Sequence, residues 1–313
     1  MKDRRTLIKI AHYYYNIGMT QEEIGKKFQM SRQKVNRIVN SLVEEGIVTI
    51  KVNGYDGSYV KLEQILEEEF SLREVMITSV EEEDDLLDRL SKTAASYLER
   101  AIDNDEIIGV SWGKTLSNTV ASLSNARKNN ISVVQIVGGT NLRDPSIKAD
   151  EITRVMARKL NGTPYLIYAP AVVKDEHFKE AMMNEQSIKN TFNIIKKCTM
   201  AIVGIGNIAK KSSSYMQSYL NEEEIKKIEE NKGVGDICLQ AYTVDGEIIG
   251  EGISNRVIGI SMEDLKKIPK VIGIAGGKDK AEAILGALRG GFIDVLITDN
   301  IAAENILNII SKP

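Results

Sequence analysis

Ser31, Arg32, Gln33, Lys34, Asn36 and Arg37 crowd the start of a stretch whose apolar positions, Val35, Ile38, Val39 and Leu42, recur at helical spacing. With those four turned to a core, the hydroxyl, amide and basic side chains project from the opposite surface. Arg bonds guanine bidentately, and Gln or Asn does the same to adenine. The set therefore has the chemistry to read base edges from the N-terminal half of a helix in the major groove. Lys26, Lys27 and Lys34 suit phosphates. Double-stranded operator DNA is the partner this pattern implies; an ordinary three-helix bundle with a solvated charged face is the alternative.

A second constellation consists of four loops rich in glycine and small polar residues, each directly after a short apolar run. They are Ser111-Trp112-Gly113-Lys114-Thr115, Gly138-Gly139-Thr140-Asn141, Gly204-Ile205-Gly206-Asn207 and Gly276-Gly277-Lys278-Asp279-Lys280. Glycine lets backbone N–H groups approach a ligand, a following helix favours an anion, and Lys or Thr adds a charge or a hydroxyl. A phosphate or a polyol fits that inventory. Any one loop is also readable as a tight strand-to-helix turn. Gly204-Ile205-Gly206-Asn207-Ile208-Ala209 matches G-x-G-x-x-A, but a dinucleotide fingerprint opens a helix at once, and Lys210–Ser214 reads KKSSS.

The chain has only two histidines, His12 and His177, and no H-E-x-x-H, no Cys/His zinc spacing, no Ser-His-Asp set and no P-loop. No metal ligand, cofactor or catalytic residue is expected. Cys198 and Cys238, each inside an apolar run, read as buried reduced thiols.

The elements that position these groups are legible from periodicity. Thr20 and Glu23 form a T-x-x-E capping box, Ile24 and Phe28 give the following helix one apolar face, Gln29-Met30 makes the turn, Ser31 caps the second helix and Gly46 stops it. An earlier helix, Leu7–Ile17, ends at Gly18, and Ile47–Val52 reads as a strand pair or wing. This head, residues 1–53, holds ten Lys or Arg against five Asp or Glu. Of the whole-chain charge of −3, the head carries +5 and the rest −8.

Residues 54–72 form a linker and an amphipathic helix over Tyr59–Phe70, with Leu62, Ile65, Leu66 and Phe70 on one face. Its partner is either its own large domain or a second subunit. From Arg73 to residue 313 short apolar runs alternate with helical stretches: Glu74–Ser79, Ile107–Ser111, Ser132–Val137, Pro164–Tyr168, Met200–Gly204, Val271–Ala275 and Asp294–Thr298. The alternation implies a doubly wound, mostly parallel sheet with ligands at the carboxyl ends of its strands. Asp245-Gly246 reads as the turn of one hairpin. There is no signal-peptide core and no apolar run long enough to span a bilayer, so a cytoplasmic protein with no membrane partner is expected. One recognition helix covers few base pairs, so at least a dimer is expected.

With these residues in place, the chain resembles the SorC family of bacterial sugar-responsive transcriptional regulators. The likeness is carried by the head up to Gly46, GVSWGKTL at Gly109–Leu116, VVQIVGG at Val133–Gly139, VGIGNI at Val203–Ile208, GVGDICLQAYTVDGE at Gly233–Glu247, NRVIGI at Asn255–Ile260 and IAGGKDKAEAILGAL at Ile274–Leu288. The resemblance implies a helix-turn-helix head joined to a Rossmann-like effector domain related to sugar-phosphate isomerases and deaminases, assembled as a tetramer. It places Ser111, Gly113, Thr115 and Lys280 at the phosphate end of a sugar-phosphate effector, and Gly138, Gly139, Thr140, Asn141 and Asp236 near the sugar. Gly204, Gly206, Gly276 and Gly277 complete the set. Val137 stands where some relatives carry a lysine. The competing expectation is a sugar-phosphate isomerase or deaminase with an accessory head. Such an enzyme needs a positioned base, and VGGTN has no carboxylate or Lys before Arg143-Asp144, which favours a sensor.

Overall fold

A computed structural model describes residues 3–50, 59–81, 85–126, 128–139, 145–208, 219–250 and 253–311. The chain divides into two compact units, Met1–Ser58 and Tyr59–Pro313. The first holds α1 (Arg4–Ala11), α2 (Gln21–Phe28) and α3 (Arg32–Ser41). The second runs α4 (Val60–Phe70), β1 (Glu74–Thr78), α5 (Leu86–Ala101), β2 (Ile107–Val110), α6 (Lys114–Ser122), β3 (Ser132–Gln135), α7 (Ala149–Lys159) and β4 (Thr163–Tyr165). It continues with α8 (Glu176–Asn184), α9 (Gln186–Ile195), β5 (Met200–Gly204), β6 (Gly206–Asn207), α10 (Glu222–Glu230), β7 (Gly233–Ile237) and β8 (Gln240–Thr243). The last elements are α11 (Met262–Leu265), β9 (Val271–Ile274), α12 (Ala281–Arg289), β10 (Val295–Asp299) and α13 (Asn300–Ile310).

In the head, α1 continues through a π-turn over His12–Asn16 before Gly18. The capping box forms: Thr20 Oγ1 accepts from Glu23 N at 3.3 Å and Glu23 Oε2 accepts from Thr20 N at 2.8 Å. Gln29, at φ 55°, turns the chain, and Ser31 Oγ accepts from Lys34 N at 3.3 Å to start α3. Leu7, Ile10, Ile24, Val35, Ile38 and Leu42 close a small core. The strand expected over Ile47–Val52 is corrected for its described part, since Ile47–Ile50 adopt no strand. The N–H groups of Ile47 and Val48 both turn back to Leu42 O, at 2.9 and 3.1 Å, and close the end of the third helix instead. Lys51 and Val52 lie outside the described residues.

The second unit is built on a seven-stranded sheet, ordered β1-β10-β9-β5-β2-β3-β4, every neighbouring pair parallel. Alternate residues feed opposite cores, as a strand's two-residue period requires. Val134, Ala201, Val203 and Leu296 enter one apolar cluster, and Val133, Ile202, Val295 and Ile297 the other. Both faces are therefore helix-covered. Pro164, which cannot donate to a ladder, lies on the edge strand β4, and β4 stops at Tyr165 rather than Tyr168.

A second sheet, β6-β7-β8, is antiparallel. Its β7–β8 hairpin pivots on Cys238 and Leu239, at φ 53° and 64°. Asp245-Gly246 turns the expected hairpin beyond it, pairing Tyr242 with Ile248 antiparallel while Thr243 N donates to Glu247 O and Ile249 N to Ala241 O, both at 2.9 Å.

Candidate functional site

The four glycine-rich loops leave β2, β3, β5 and β9, which are four adjacent strands of one parallel sheet. All four loops therefore emerge at the same carboxyl edge. Strand order reverses between β2 and β5, since the chain runs from β2 outward to β4 and from β5 outward to β10. A crevice at that switch point is where open α/β sheets take ligands. The Gly204 loop pairs Gly206 with Asp236 across β6 and β7, so a short strand stands where a dinucleotide fingerprint would turn into its helix; Ala209 and Lys210–Ser214 lie outside the described residues.

Three loops are tied to one another. Gly204 N donates to Ser111 Oγ at 3.3 Å, Lys280 Nζ donates to Ile205 O at 2.5 Å, and Asn207 Nδ2 donates to Asp279 O. The fourth is anchored elsewhere: Gly138 N reaches Ile258 O and Gly139 N reaches Ala169 O, both at 2.8 Å. Thr140 and Asn141 lie outside the described residues.

The expectation that these glycines offer free N–H groups needs correction. Gly113 N donates to Ile147 O at 3.1 Å and Gly277 N to Asp299 Oδ2 at 2.5 Å, so five glycine donors of the site are already engaged. Close packing explains their identity instead. A Cβ on Gly138 would lie 2.6 Å from Pro170 O, and one on Gly206 or Gly276 would strike the Asp236 or Asp299 carboxylate. Among the described residues, the groups left for a ligand include the first-turn N–H groups of α6, which has no side-chain cap, and side chains. The Thr115 hydroxyl makes no hydrogen bond among the described residues.

Asp236 and Lys280 supply the charge. Burial pushes the Asp236 carboxyl up to about 6, opposed by the Leu239 N–H, which it accepts at 3.3 Å, and by Lys280. Burial likewise lowers the Lys280 ammonium, opposed by Asp236. Ser111 is buried near the Cys238 thiol, which burial and then Asp236 push upward, opposed by Ser111. A cation and an open helix N-terminus at one sheet edge suit an anionic group, and a buried carboxylate acceptor suits sugar hydroxyls.

Sequence reasoning passed over two residues, one organising the glycine-rich loops and one the turn of the head. Asp299 is fully buried and holds Gly277 from the end of β10; Asp between an apolar strand and a helix is an N-cap signal that pointed to it. Gly25 is buried in α2, where a Cβ would lie 2.7 Å from Met30 O. No local pattern marks that contact.

In the head, Ser31, Arg32, Gln33, Lys34, Asn36 and Arg37 are all exposed while Val35, Ile38 and Val39 are buried. Gln21 Nε2 donates to Asn36 Oδ1 at 3.0 Å and orients that amide. Lys26 pairs with Glu22 at 3.1 Å, and Lys27 lies 4.6 Å from the centre of the Tyr13 ring.

A cavity of about 670 Å³ lies away from these loops, between α8, α9 and the segment around Ile260. None of the residues singled out above lines it except Cys198, whose thiol burial pushes up to about 12 and so leaves protonated. His177 is exposed on α8. No cluster of His, Cys, Asp or Glu suited to a metal occurs among the described residues.

A family model described as a sugar-binding domain matches residues 57–308, and a MarR-family model matches residues 10–57. The sorbitol operon regulator of Klebsiella pneumoniae is 29% identical over 309 residues, spanning 97% of this chain and 98% of its own. The deoxyribonucleoside regulator of Bacillus subtilis is 28% identical over 303 residues, 96% of each chain. The crystal structure of the full-length Klebsiella regulator superposes with a TM-score of 0.77 at 29% identity, covering 98% of this chain and all of its own.

Proposed function

The chain belongs to the SorC family of sugar-binding transcriptional regulators, and from that premise we propose a DNA-binding regulator of a carbohydrate operon whose operator affinity is set by a phosphorylated sugar. It is a regulator and not a sugar-phosphate enzyme, as its relatives are named regulators. The observation that carries the effector reading is Lys280, tied to Ile205 O and interacting with the buried Asp236 carboxylate, at the same carboxyl edge of the sheet from which the uncapped α6 starts.

Ser111, Gly113, Thr115 and Lys280 take the phosphate end. Asp236 takes sugar hydroxyls, while Gly138, Gly139, Gly204, Gly206, Gly276 and Gly277 set the shape of the pocket. Thr140 and Asn141 extend the sugar side. Residues 1–53 form the DNA-binding domain, 54–72 the linker and helix, and 73–313 the effector and assembly domain. Two-fold operators call for at least a dimer, and a tetramer fits the family. The protein works in the cytoplasm beside its operator; no described helix is long and apolar enough to cross a membrane.

Fluorescence anisotropy on the DNA upstream of the protein's own operon tests this. Sugar phosphates and the free sugars are titrated in turn. A phosphorylated sugar should shift operator affinity about tenfold, roughly 1.4 kcal/mol, and must itself bind tenfold differently to the DNA complex. Lys280→Ala should abolish that response and leave effector-free DNA binding unchanged. A response to free sugars alone, or one that survives Lys280→Ala, sinks the phosphate assignment.

A further inference from the structure

α4 faces β1 with a ladder of side chains one helical turn apart. Tyr59 Oη lies 3.3 Å from Ser79 Oγ, Glu63 Oε1 accepts from Ile77 N at 2.8 Å, and Glu67 Oε1 accepts from Val75 N at 2.8 Å. Helix and strand run in opposite senses, and their repeats match: four residues of helix advance about 6 Å, and two residues of strand about 6.6 Å. β1 ends the sheet on its side, so these N–H groups have no strand to pair with. Two carboxylates stand in for one. Charged acceptors make the stronger class of hydrogen bond, and they blunt an edge that invites stray pairing.

On its other side β1 pairs with β10 in a register that sets Thr78 opposite Asp299. Asp299 Oδ2 accepts from Gly277 N at 2.5 Å, and its Oδ1 accepts from Ile301 N and Ala302 N. Val80 N, just past β1, donates to Asn300 Oδ1 at 2.7 Å. The chain enters this unit at Tyr59, the first rung. A connected set of hydrogen bonds thus joins the entry point of the chain to the Gly276–Lys280 loop.

We propose that Glu63 and Glu67 are positioning residues for the regulatory response: they hold α4 in register on β1, so that a change at Gly276–Lys280 passes through Asp299 and the β10–β1 pair to the segment leading to the head. The proposal rests on the effector reading of that loop.

Hydrogen exchange on the full-length protein without ligand is the first arm. Glu63→Ala with Glu67→Ala should speed exchange about tenfold at Val75 and Ile77 and also across Gly276–Lys280, with Ser111–Thr115 unchanged. Glu63→Gln with Glu67→Gln should restore protection, because the amide oxygen still accepts. Faster exchange confined to β1 overturns the proposal and leaves a local edge cover; so does unchanged exchange at Val75 and Ile77.

The second arm measures operator affinity with sorbitol 6-phosphate and ribose 5-phosphate. Wild type and the double Gln variant should respond alike, and the double Ala variant should bind both probes yet lose the shift in DNA affinity. An intact shift in the double Ala variant overturns the proposal. If neither probe shifts wild type, the effector reading loses its support, while the ladder is decided by the exchange arm.

Discussion

Arg256 grips both oxygens of Glu224, with Nε at 3.0 Å and Nη2 at 2.6 Å. Its Nη1 reaches Val173 O at 3.0 Å and Nη2 also reaches Tyr219 O at 3.1 Å, so one guanidinium joins three separate segments. Glu224 at the same time completes the capping box of α10 with Asn221. The two side chains are 19% and 7% exposed. Arg256→Ala leaves a buried carboxylate without its cation, and stability measured by urea unfolding should fall by about 3–5 kcal/mol. A loss under about 1 kcal/mol would mean that water replaces the guanidinium and that the pair is not structural.

Gly25→Ala should damage the head alone. The added Cβ meets Met30 O, a backbone atom that cannot swing aside, and Met30 N is bonded to Gly25 O at 2.8 Å, so the turn between α2 and α3 must shift as a whole. About 1–3 kcal/mol of stability is expected to go, together with operator binding, while sugar-phosphate binding measured by calorimetry stays as in wild type. Unchanged operator affinity would show that the turn absorbs the methyl group.

Base reading and phosphate contact separate by salt. Gln33→Ala or Arg37→Ala should cost about 1–3 kcal/mol on the cognate operator and relax discrimination at one base pair. Lys34→Ala should weaken all sequences alike and lower the salt slope by about 1. Gln21→Ala, which frees Asn36 from its partner, should loosen adenine discrimination without changing that slope. Competition between operator variants at several salt concentrations reads all three, and an Arg32→Ala, Arg37→Ala double variant with wild-type affinity would refute the recognition-helix assignment.

Asp236 makes stability fall as pH rises. Its carboxyl is pushed from 3.8 up to about 6, chiefly by burial, so the fold favours the protonated form. That contribution is fully present below the unfolded value of 3.8 and is lost as pH climbs through about 6. The deficit at pH 7 is about 3 kcal/mol. Asp236→Asn, which keeps an acceptor for Leu239 N, should be more stable than wild type at pH 7 and match it near pH 4, while binding the sugar less well. Chemical unfolding across that range checks the sign; a wild-type curve parallel to that of the variant would place the Asp236 carboxyl in contact with water.

What the sequence by itself determined lies within a few residues of its cause. Thr20 and Glu23, or Ser31 and Lys34, find each other three residues apart, and the strands at residues 74, 107, 132, 200 and 271 begin where the apolar runs begin. Local partners need no knowledge of the fold. That the glycine-rich loops lie side by side, by contrast, depends on strand order, and that Gly277 is held by Asp299 depends on the pairing of β9 with β10. The hairpins show the limit: Asp245-Gly246 turns one of them as its residues imply, whereas the reversal at Cys238-Leu239, where the side chain of Asp236 accepts from Leu239 N, has no turn residues to announce it. Which N–H groups remain free, and how far burial moves a carboxylate, are set by neighbours remote in sequence, which only the folded chain brings together.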